Sequence, residues 1–332
     1  MIGKNLKKIK CLVCSMMLVV SLTACGSGAD GGEDNSKTDN STNKVYQIGI
    51  CQLGQHEALD SATLGFKDAL TEKLGDRVSF DYRNAENSEE KCTEITTKFV
   101  ADKKDLIMAN ATPALKSAYS ATTTIPIVAT SITDYGTALN IMKWSGVTGT
   151  NVTGTSDLAR IEEQEDMILE LFPNPKQIGI LYCVKETNSV YQAQMMEDEL
   201  EKDGVTSHFY KVNSKKDIKA VADSAASECD VIYIPTDNTL AENVDTLKKI
   251  FLDEGVPMIA GEEGMCKAGI ATLSIDYYSI GYTAGEMAYE ILETGSNPGS
   301  MEIRYAEQYT KKYNKENCEA LGIDIPEDYT AI

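Results

Sequence analysis

Short apolar segments alternate with amphipathic ones along most of this 332-residue chain. The early apolar segments are rich in β-branched residues. Each is followed by a polar turn and by apolar residues at helical spacing, such as Leu59, Ala62 and Phe66. Strands are predicted at 45–53, 78–83, 105–110 and 125–130. This strand–helix order predicts a parallel sheet covered by helices.

A second series of strands is predicted at 177–183, 206–212, 230–235, 256–260 and 269–275. Between the two series lies SGVTGTNVTGTSD, which is rich in Gly and Thr and predicts a crossover. The chain from residue 44 onward is longer than one compact core usually holds. We therefore predict an α/β fold of two doubly wound parallel-sheet lobes joined by a hinge.

The first 24 residues predict an export signal, because four lysines precede an apolar stretch at 11–22 that is too short to span a bilayer. The sequence Leu22–Cys25 resembles the lipobox of bacterial lipoproteins. The resemblance implies that Cys25 carries acyl chains such as palmitate and anchors the chain to the extracytoplasmic face of the cell membrane. Residues 25–43 are polar and predict a flexible tether.

Charge and motifs narrow the function. The formal charge is −20, and removing a signal with four lysines and no acids would bring it to −24, which disfavours nucleic-acid binding. Phosphate loops, nucleophile elbows and HExxH are absent from the sequence, and its histidines are His56 and His208. We therefore expect no enzyme, no cofactor and no metal. The six cysteines after the lipid site are isolated and favour buried free thiols over disulfides.

Ligands of doubly wound sheets bind at the carboxyl ends of the strands. There, Thr112 is predicted as an N-cap followed by Pro113, so the next N–H groups could hold a carboxylate, with Ser131 adding a hydroxyl. In the second series, Asp237 could pair with a ligand ammonium, although an N-cap or Asx turn fits equally well, and Asn188 has the same ambiguity. Together these groups describe a zwitterion, of which an α-amino acid is the simplest.

The segment GQHEALDS follows the first strand and contains Gln55, His56 and Glu57. His56 has no second histidine or cysteine at usable spacing, so we interpret it as part of a ligand-facing rim and not as a base. Asp276 follows the last predicted strand and, taken singly, is typical of a solvated or structural carboxylate. Candidate aromatic walls are Tyr82, Tyr135, Tyr191, Tyr277 and Tyr278.

The motifs HEALD, NATPA, VTGTSD, TNSVYQ, IPTDNT, IDYYSIGYTAGEMAYEIL and NKENCEALGIDIP occur in an order that resembles ABC-transporter substrate-binding lipoproteins of the tryptophan/tyrosine-binding type. The resemblance covers residues 45–328 and implies a type I periplasmic-binding-protein fold. It also implies a monomer that captures an aromatic amino acid and delivers it to a membrane permease. Lobe 1 would then comprise 44–152 plus 275–297, and lobe 2 would comprise 153–274 plus 298–332.

By the same resemblance, Thr112 and Ser131 would bind the ligand carboxylate and Asp237 its ammonium group. Further residues are placed near that group or on the cleft edge: Asn188, Asp276, Gln55 and Glu57. Similar proteins often read E-H-P-A-L-D where this chain has Gln55–Asp60, which affects side-chain selectivity. A sugar or nucleoside receptor and an adhesion lipoprotein remain alternatives, and the single tryptophan, Trp144, ranks the sugar lower.

Overall fold

The computed structural model describes residues 44–332. The predicted signal peptide, the lipid site at Cys25 and the tether up to residue 43 lie outside the described residues. The strands are β1 (Tyr46–Gln52), β2 (Val78–Asn84), β3 (Leu106–Asn110), β4 (Ile127–Ile132), β5 (Val152–Ser156), β6 (Ile178–Cys183), β7 (Ser207–Val212), β8 (Val231–Ile234), β9 (Met258–Ala260), β10 (Ala271–Ser274), β11 (Arg304–Tyr305), β12 (Thr310–Tyr313) and β13 (Thr330–Ala331).

Eleven α-helices connect or follow these strands within the described chain. They are α1 (Glu57–Leu74), α2 (Glu89–Ala101), α3 (Thr112–Ala121), α4 (Tyr135–Leu139), α5 (Ile161–Leu171), α6 (Thr187–Lys202), α7 (Ile218–Glu228), α8 (Asn238–Ala241), α9 (Val244–Glu254), α10 (Tyr277–Thr294) and α11 (Lys315–Leu321). No helix between residues 44 and 332 is both long and apolar enough to cross a membrane.

The strands form two sheets, which confirms the predicted two-lobed α/β architecture. The first sheet has the order β11-β5-β4-β3-β1-β2, and all of its pairings are parallel. The second has the order β13-β12-β10-β9-β8-β6-β7, in which β12 runs antiparallel to β10. We call the first sheet with its helices lobe 1 and the second lobe 2. In both, the carboxyl ends of the parallel strands carry the turns that face the other lobe.

Strand β5 differs from the sequence prediction, which treated its segment as crossover. Its residues are all buried, so the apolar–polar alternation of a half-exposed strand is absent. A side chain at Gly154 would place its Cβ 1.9 Å from the Ala129 carbonyl oxygen, and the φ of Gly154 is 148°. Glycine therefore allows β5 to approach β4 closely. Lobe 1 extends through β5 and also contains β11, which differs from the predicted lobe boundaries.

Helix α10 returns the chain to lobe 1, where it packs along α1 and against β4 and β5. The two helices approach closely because a Cβ at Gly281 would lie 2.0 Å from the Ala62 oxygen and one at Gly65 would lie 2.1 Å from the Tyr278 oxygen. The chain thus passes between the lobes at residues 157–160, at 275–276 and at 306–309. The chain therefore crosses between the lobes three times, and these segments are where the predicted hinge would lie.

Candidate functional site

The start of helix α3 offers free backbone donors at the cleft. Ala111 precedes the helix with a φ of 84°, and no side chain of the described residues caps it. Thr112 is the first helical residue and not the predicted N-cap. It is buried, and the helix continues with Pro113. The first N–H groups of a helix lack intrahelical partners and attract anions. This helix start is therefore suited to a carboxylate.

Ser131 lies beside α3 at the end of β4. Its φ of 56° is in the left-handed region, and the register between β4 and β5 shifts at this point. Its side chain is buried, yet the hydroxyl oxygen has no hydrogen-bond partner among residues 44–332. An unpaired buried hydroxyl costs free energy, and backbone strain concentrates at functional sites. Both observations indicate a group that awaits a ligand.

Asp157 is the acidic side chain of this region that the sequence predictions missed. It follows β5 directly, and its backbone N–H donates to the Ile132 oxygen, which places it next to the end of β4. Its carboxylate accepts hydrogen bonds from the Thr133 hydroxyl at 3.1 Å and the Tyr277 hydroxyl at 3.0 Å. Asp157 is the last residue of the VTGTSD motif. Because the sequence predicted a crossover and not a strand in this segment, it did not place Asp157 at a strand end.

The electrostatics of Asp157 are those of a buried charge without a cation. It is 3 % exposed, and none of the ion pairs formed by residues 44–332 includes it. Burial raises the pKa of Asp157 to about 6, although the Tyr277 and Thr133 hydroxyls and the nearby His56 favour the charged form. A ligand cation would supply the missing partner.

The GQHEALDS segment forms the start of α1 at the interlobe rim. Gln52 stabilises this segment, because its Nε2 donates hydrogen bonds to the Gly54 carbonyl oxygen and to Oδ1 of Asp60, both at 2.7 Å. His56 precedes the helix, and its Nε2 lies 3.1 Å from Oδ1 of Asn238 in lobe 2. Gln55 is exposed, as is Glu57. Glu57 pairs with Lys267 of lobe 2 at 2.5 Å, so this helix start is a contact between the lobes.

In lobe 2, Asp237 is committed to the protein's own backbone. One of its oxygens accepts the Leu240 N–H and caps α8, and the other accepts the Cys183 N–H at 2.7 Å. Burial, followed by the nearby Glu186, raises the pKa of Asp237 well above its usual value. Both oxygens of Asp237 therefore accept backbone N–H groups, as the N-cap alternative predicts, and its contact with a ligand ammonium stays a prediction.

Two other acids of lobe 2 are engaged in the same way. Glu186 accepts hydrogen bonds from the backbone and side chains of Asn238 and Thr239. Glu262 accepts the N–H groups of Gly264 and Met265 at 2.7 and 2.6 Å. Glu186 thus stabilises the start of α8, and Glu262 stabilises the turn at Gly264 and Met265.

Asn188 and Asp276 complete the predicted set. The amide nitrogen of Asn188 donates to the Thr236 oxygen, while its Oδ1 is buried without a partner in the described part of the chain. Asn188 thus offers the cleft one free acceptor. Asp276 is exposed and caps α10 through the N–H groups of Tyr278 and Ser279, which places it outside the cluster around Asp157.

The aromatic candidates separate by position. Tyr277 is buried against Asp157, whereas Tyr278 bonds Asp68 on the outer face and Tyr82 is exposed. Tyr135 is buried with its hydroxyl bonded to backbone oxygens of β4 and β5. Tyr277 is thus the aromatic residue that the structure brings to the cluster.

The lobes lie against each other around these groups. Two clefts open between them. One, of about 760 Å³, lies between Leu53, Glu86 and Pro113 of lobe 1 and Lys185 and Thr239 of lobe 2. Another, of about 430 Å³, lies on the hinge side beside the first turn of α1, Glu262 and Tyr277. Within the described residues, no cluster of three His, Cys, Asp or Glu side chains is placed to hold a metal ion. The six described cysteines are buried and unpaired.

Comparisons with known proteins agree with this architecture. Residues 47–331 match the family model of ABC transporter substrate binding proteins. A tyrosine-binding protein of Clostridioides difficile is 36 % identical over 324 residues, which cover 96 % of this chain and 93 % of that protein.

Two solved structures are informative about conformation. The structure of a Streptococcus pneumoniae protein in complex with L-Trp is 31 % identical, covers 87 % of this chain and 100 % of that chain, and has a TM-score of 0.83. A ligand-free, open substrate-binding protein with adhesive properties from Clostridium difficile is 32 % identical, covers 87 % and 99 % of the two chains, and has a TM-score of 0.67. Although the two identities differ by only one percentage point, the present structure is closer in shape to the L-Trp complex than to the open form.

Proposed function

The chain belongs to the family of ABC transporter substrate-binding proteins, and from this premise we propose that it captures an aromatic amino acid between its lobes for an ABC importer. The proposal joins two lines of support. One is the similarity to a tyrosine-binding protein and to a protein crystallised with L-Trp. The other is the polar arrangement at the end of β4 and β5.

The observation that carries the proposal is that lobe 1, within residues 44–332, places a buried carboxylate without a cation next to hydrogen-bond donors without an acceptor. Asp157 is a buried carboxylate with no lysine or arginine partner among the described residues, and beside it lies the unpartnered Ser131 hydroxyl at the uncapped start of α3. An α-amino acid carries an ammonium and a carboxylate on one carbon. It would satisfy both sites at once through charge-assisted hydrogen bonds. Neutral sugars and nucleosides would leave Asp157 uncompensated.

In this arrangement the ligand carboxylate accepts from Ser131 and from the first N–H groups of α3, and the ammonium donates to Asp157 and to Asn188 Oδ1. Tyr277 lies against Asp157 and is available to contact the rest of the ligand. The helix start at Gln55–Glu57 contributes to the rim and to closure. Ligand contacts to both lobes would favour the closed form over the open one.

The cellular setting is part of the proposal. The lipobox-like Leu22–Cys25 and the polar stretch after it support a lipid-anchored receptor on the extracytoplasmic face of the membrane. Membership in this transporter family supports delivery to a permease and binding without turnover. We expect a monomer, because one chain supplies both walls of the cleft.

Isothermal titration of the purified protein against the standard amino acids tests the proposal. We expect heats of binding for one or more of tyrosine, tryptophan and phenylalanine, with the ligand recovered unchanged. Silence toward every aromatic amino acid would reject the ligand assignment. Saturable binding of a sugar or nucleoside would replace it with the corresponding receptor.

A further inference from the structure

A chain of buried hydrogen bonds crosses from lobe 2 to Asp157. The Thr236 hydroxyl donates to Oε1 of Gln192 at 3.3 Å, and Nε2 of Gln192 donates to the Thr133 hydroxyl at 3.3 Å. The Thr133 hydroxyl in turn donates to Asp157 at 3.1 Å. Each group donates toward the carboxylate and accepts from the side away from it. The chain is therefore oriented with Asp157 as its final acceptor.

Gln192 is the link between the lobes in this chain. It lies on α6 of lobe 2 with 0 % exposure, whereas Thr133 and Asp157 belong to the ends of β4 and β5 in lobe 1. Separation of the lobes would break the contact between Gln192 and Thr133 and return both groups to water. A hydrogen bond inside a protein contributes more when its neighbours polarise it, and the chain ends on a carboxylate. Its strength therefore depends on the charge of Asp157.

We propose that Gln192 is a positioning residue that couples occupation of the ligand site to closure of the lobes. The inference rests on the proposed function, because the ligand ammonium further stabilises the charged form of Asp157 when the lobes are closed. A charged Asp157 orients the Thr133 hydroxyl toward itself and leaves its lone pairs free for Gln192. Gln192 itself needs no contact with the ligand. Two further polar contacts between the lobes, His56–Asn238 and Glu57–Lys267, lie at the rim, where His56 is half-buried and Glu57 and Lys267 are exposed.

The test is a double-variant cycle with Gln192→Met and Thr133→Val, which remove the polar atoms at nearly constant size. We expect each single variant to weaken aromatic amino-acid binding by about tenfold, the scale of one or two buried hydrogen bonds. The double variant should be little weaker than the worse single variant, because both changes break the same chain. Gln194→Met is the matched control, since Gln194 lies on the same helix but is exposed. It should bind like the wild type.

A second measurement separates coupling from ordinary packing. Small-angle X-ray scattering measures how much the protein contracts when tyrosine is added. At saturating ligand, we expect a smaller contraction in the Gln192→Met variant than in the wild type. The ligand-free unfolding midpoint should change little, because the open form solvates Gln192. Either of two results would overturn this inference but not the proposed function. One is a loss of affinity in the double variant equal to the product of the losses in the single variants, and the other is a full contraction of Gln192→Met. A wild type that binds no amino acid would overturn the proposed function, and this inference with it.

Discussion

The two lobes present opposite chemistry to the cleft that they share. In the described part of lobe 1, polar groups lack hydrogen-bond partners. The start of α3 has no side-chain cap among the described residues, and the hydroxyl of Ser131 has no hydrogen-bond partner among them. In lobe 2, by contrast, three acids accept backbone N–H groups: Asp237 and Glu186 at the start of α8, and Glu262 at Met265. An acid that caps a helix is a poor partner for a ligand, whereas an uncapped helix start is a good one.

The contrast indicates a division of roles. Lobe 1, with Asp157 at its hinge edge, would recognise the main-chain groups that all α-amino acids share. Lobe 2 would close over them and contribute Asn188 and the Gln192 contact. Binding to lobe 1 could then precede closure. The predictions below break or sharpen this contrast, and they run from the largest expected effect to the smallest.

The strongest contrast is between Asp157 and Asp237. Asp157→Asn should weaken tyrosine or tryptophan binding by about a hundredfold or more, because it removes one member of a buried ion pair. Asp237→Asn should retain binding but lower the free energy of unfolding by about 2 kcal/mol, because its single amide oxygen can accept from Leu240 or from Cys183 but not from both, which leaves a buried N–H without a partner. Titration calorimetry and urea denaturation measure the two effects. The reverse assignment would hold if Asp237→Asn lost binding and Asp157→Asn kept it.

Ser131→Ala should weaken ligand binding by about tenfold, since the hydroxyl would lose one hydrogen bond to a charged carboxylate. Its effect on the ligand-free stability should be small or even favourable, because the Ser131 hydroxyl has no partner in the described structure to lose. Thermal unfolding with and without ligand separates the two. A variant that is destabilised but binds normally would show that Ser131 serves the fold.

Acid should weaken binding through Asp157. Burial raises its pKa to about 6 in this structure, where the lobes lie against each other, and a bound ammonium favours the charged form, so binding must release a proton at lower pH. We expect affinity to be nearly constant above pH 7 and to fall by about tenfold between pH 7 and pH 5. The titratable groups near Asp157 are His56, Tyr135 and Tyr277. A His56→Gln variant should still lose affinity at acidic pH, whereas the affinity of Asp157→Asn should be nearly independent of pH.

The smallest effect is expected for the ion pair between Glu57 and Lys267. Both side chains are 56 % exposed, and solvent screens such pairs, so Lys267→Ala should weaken binding by about threefold at most. The loss should disappear at high salt. Titration at two ionic strengths measures it, with Lys219→Ala on the outer helix α7 as a matched control. A large loss of affinity that does not depend on salt would indicate that the rim, and not the strand ends, recognises the ligand.

The sequence predicted the two-lobed α/β fold because buried strands and amphipathic helices have different periods. It also placed Thr112 and Ser131 near the ends of apolar strands, and their contacts with a ligand stay predictions. It missed Asp157 because β5 is built from small residues and lacks alternation. It could not resolve Asp237, because an acid before a helix fits a ligand contact and an N-cap equally well. The structure shows the N-cap through the Cys183 and Leu240 N–H groups, and the ligand contact stays a prediction.

The central claim is that Asp157 binds the ligand's ammonium group. Titration calorimetry with L-tyrosine and with its desamino analogue, 3-(4-hydroxyphenyl)propionate, tests it directly in the wild type and in Asp157→Asn. We predict that the wild type prefers tyrosine by about a hundredfold and that this preference collapses in the variant, because the ammonium then has no charged partner. An undiminished preference for tyrosine in Asp157→Asn would contradict the account.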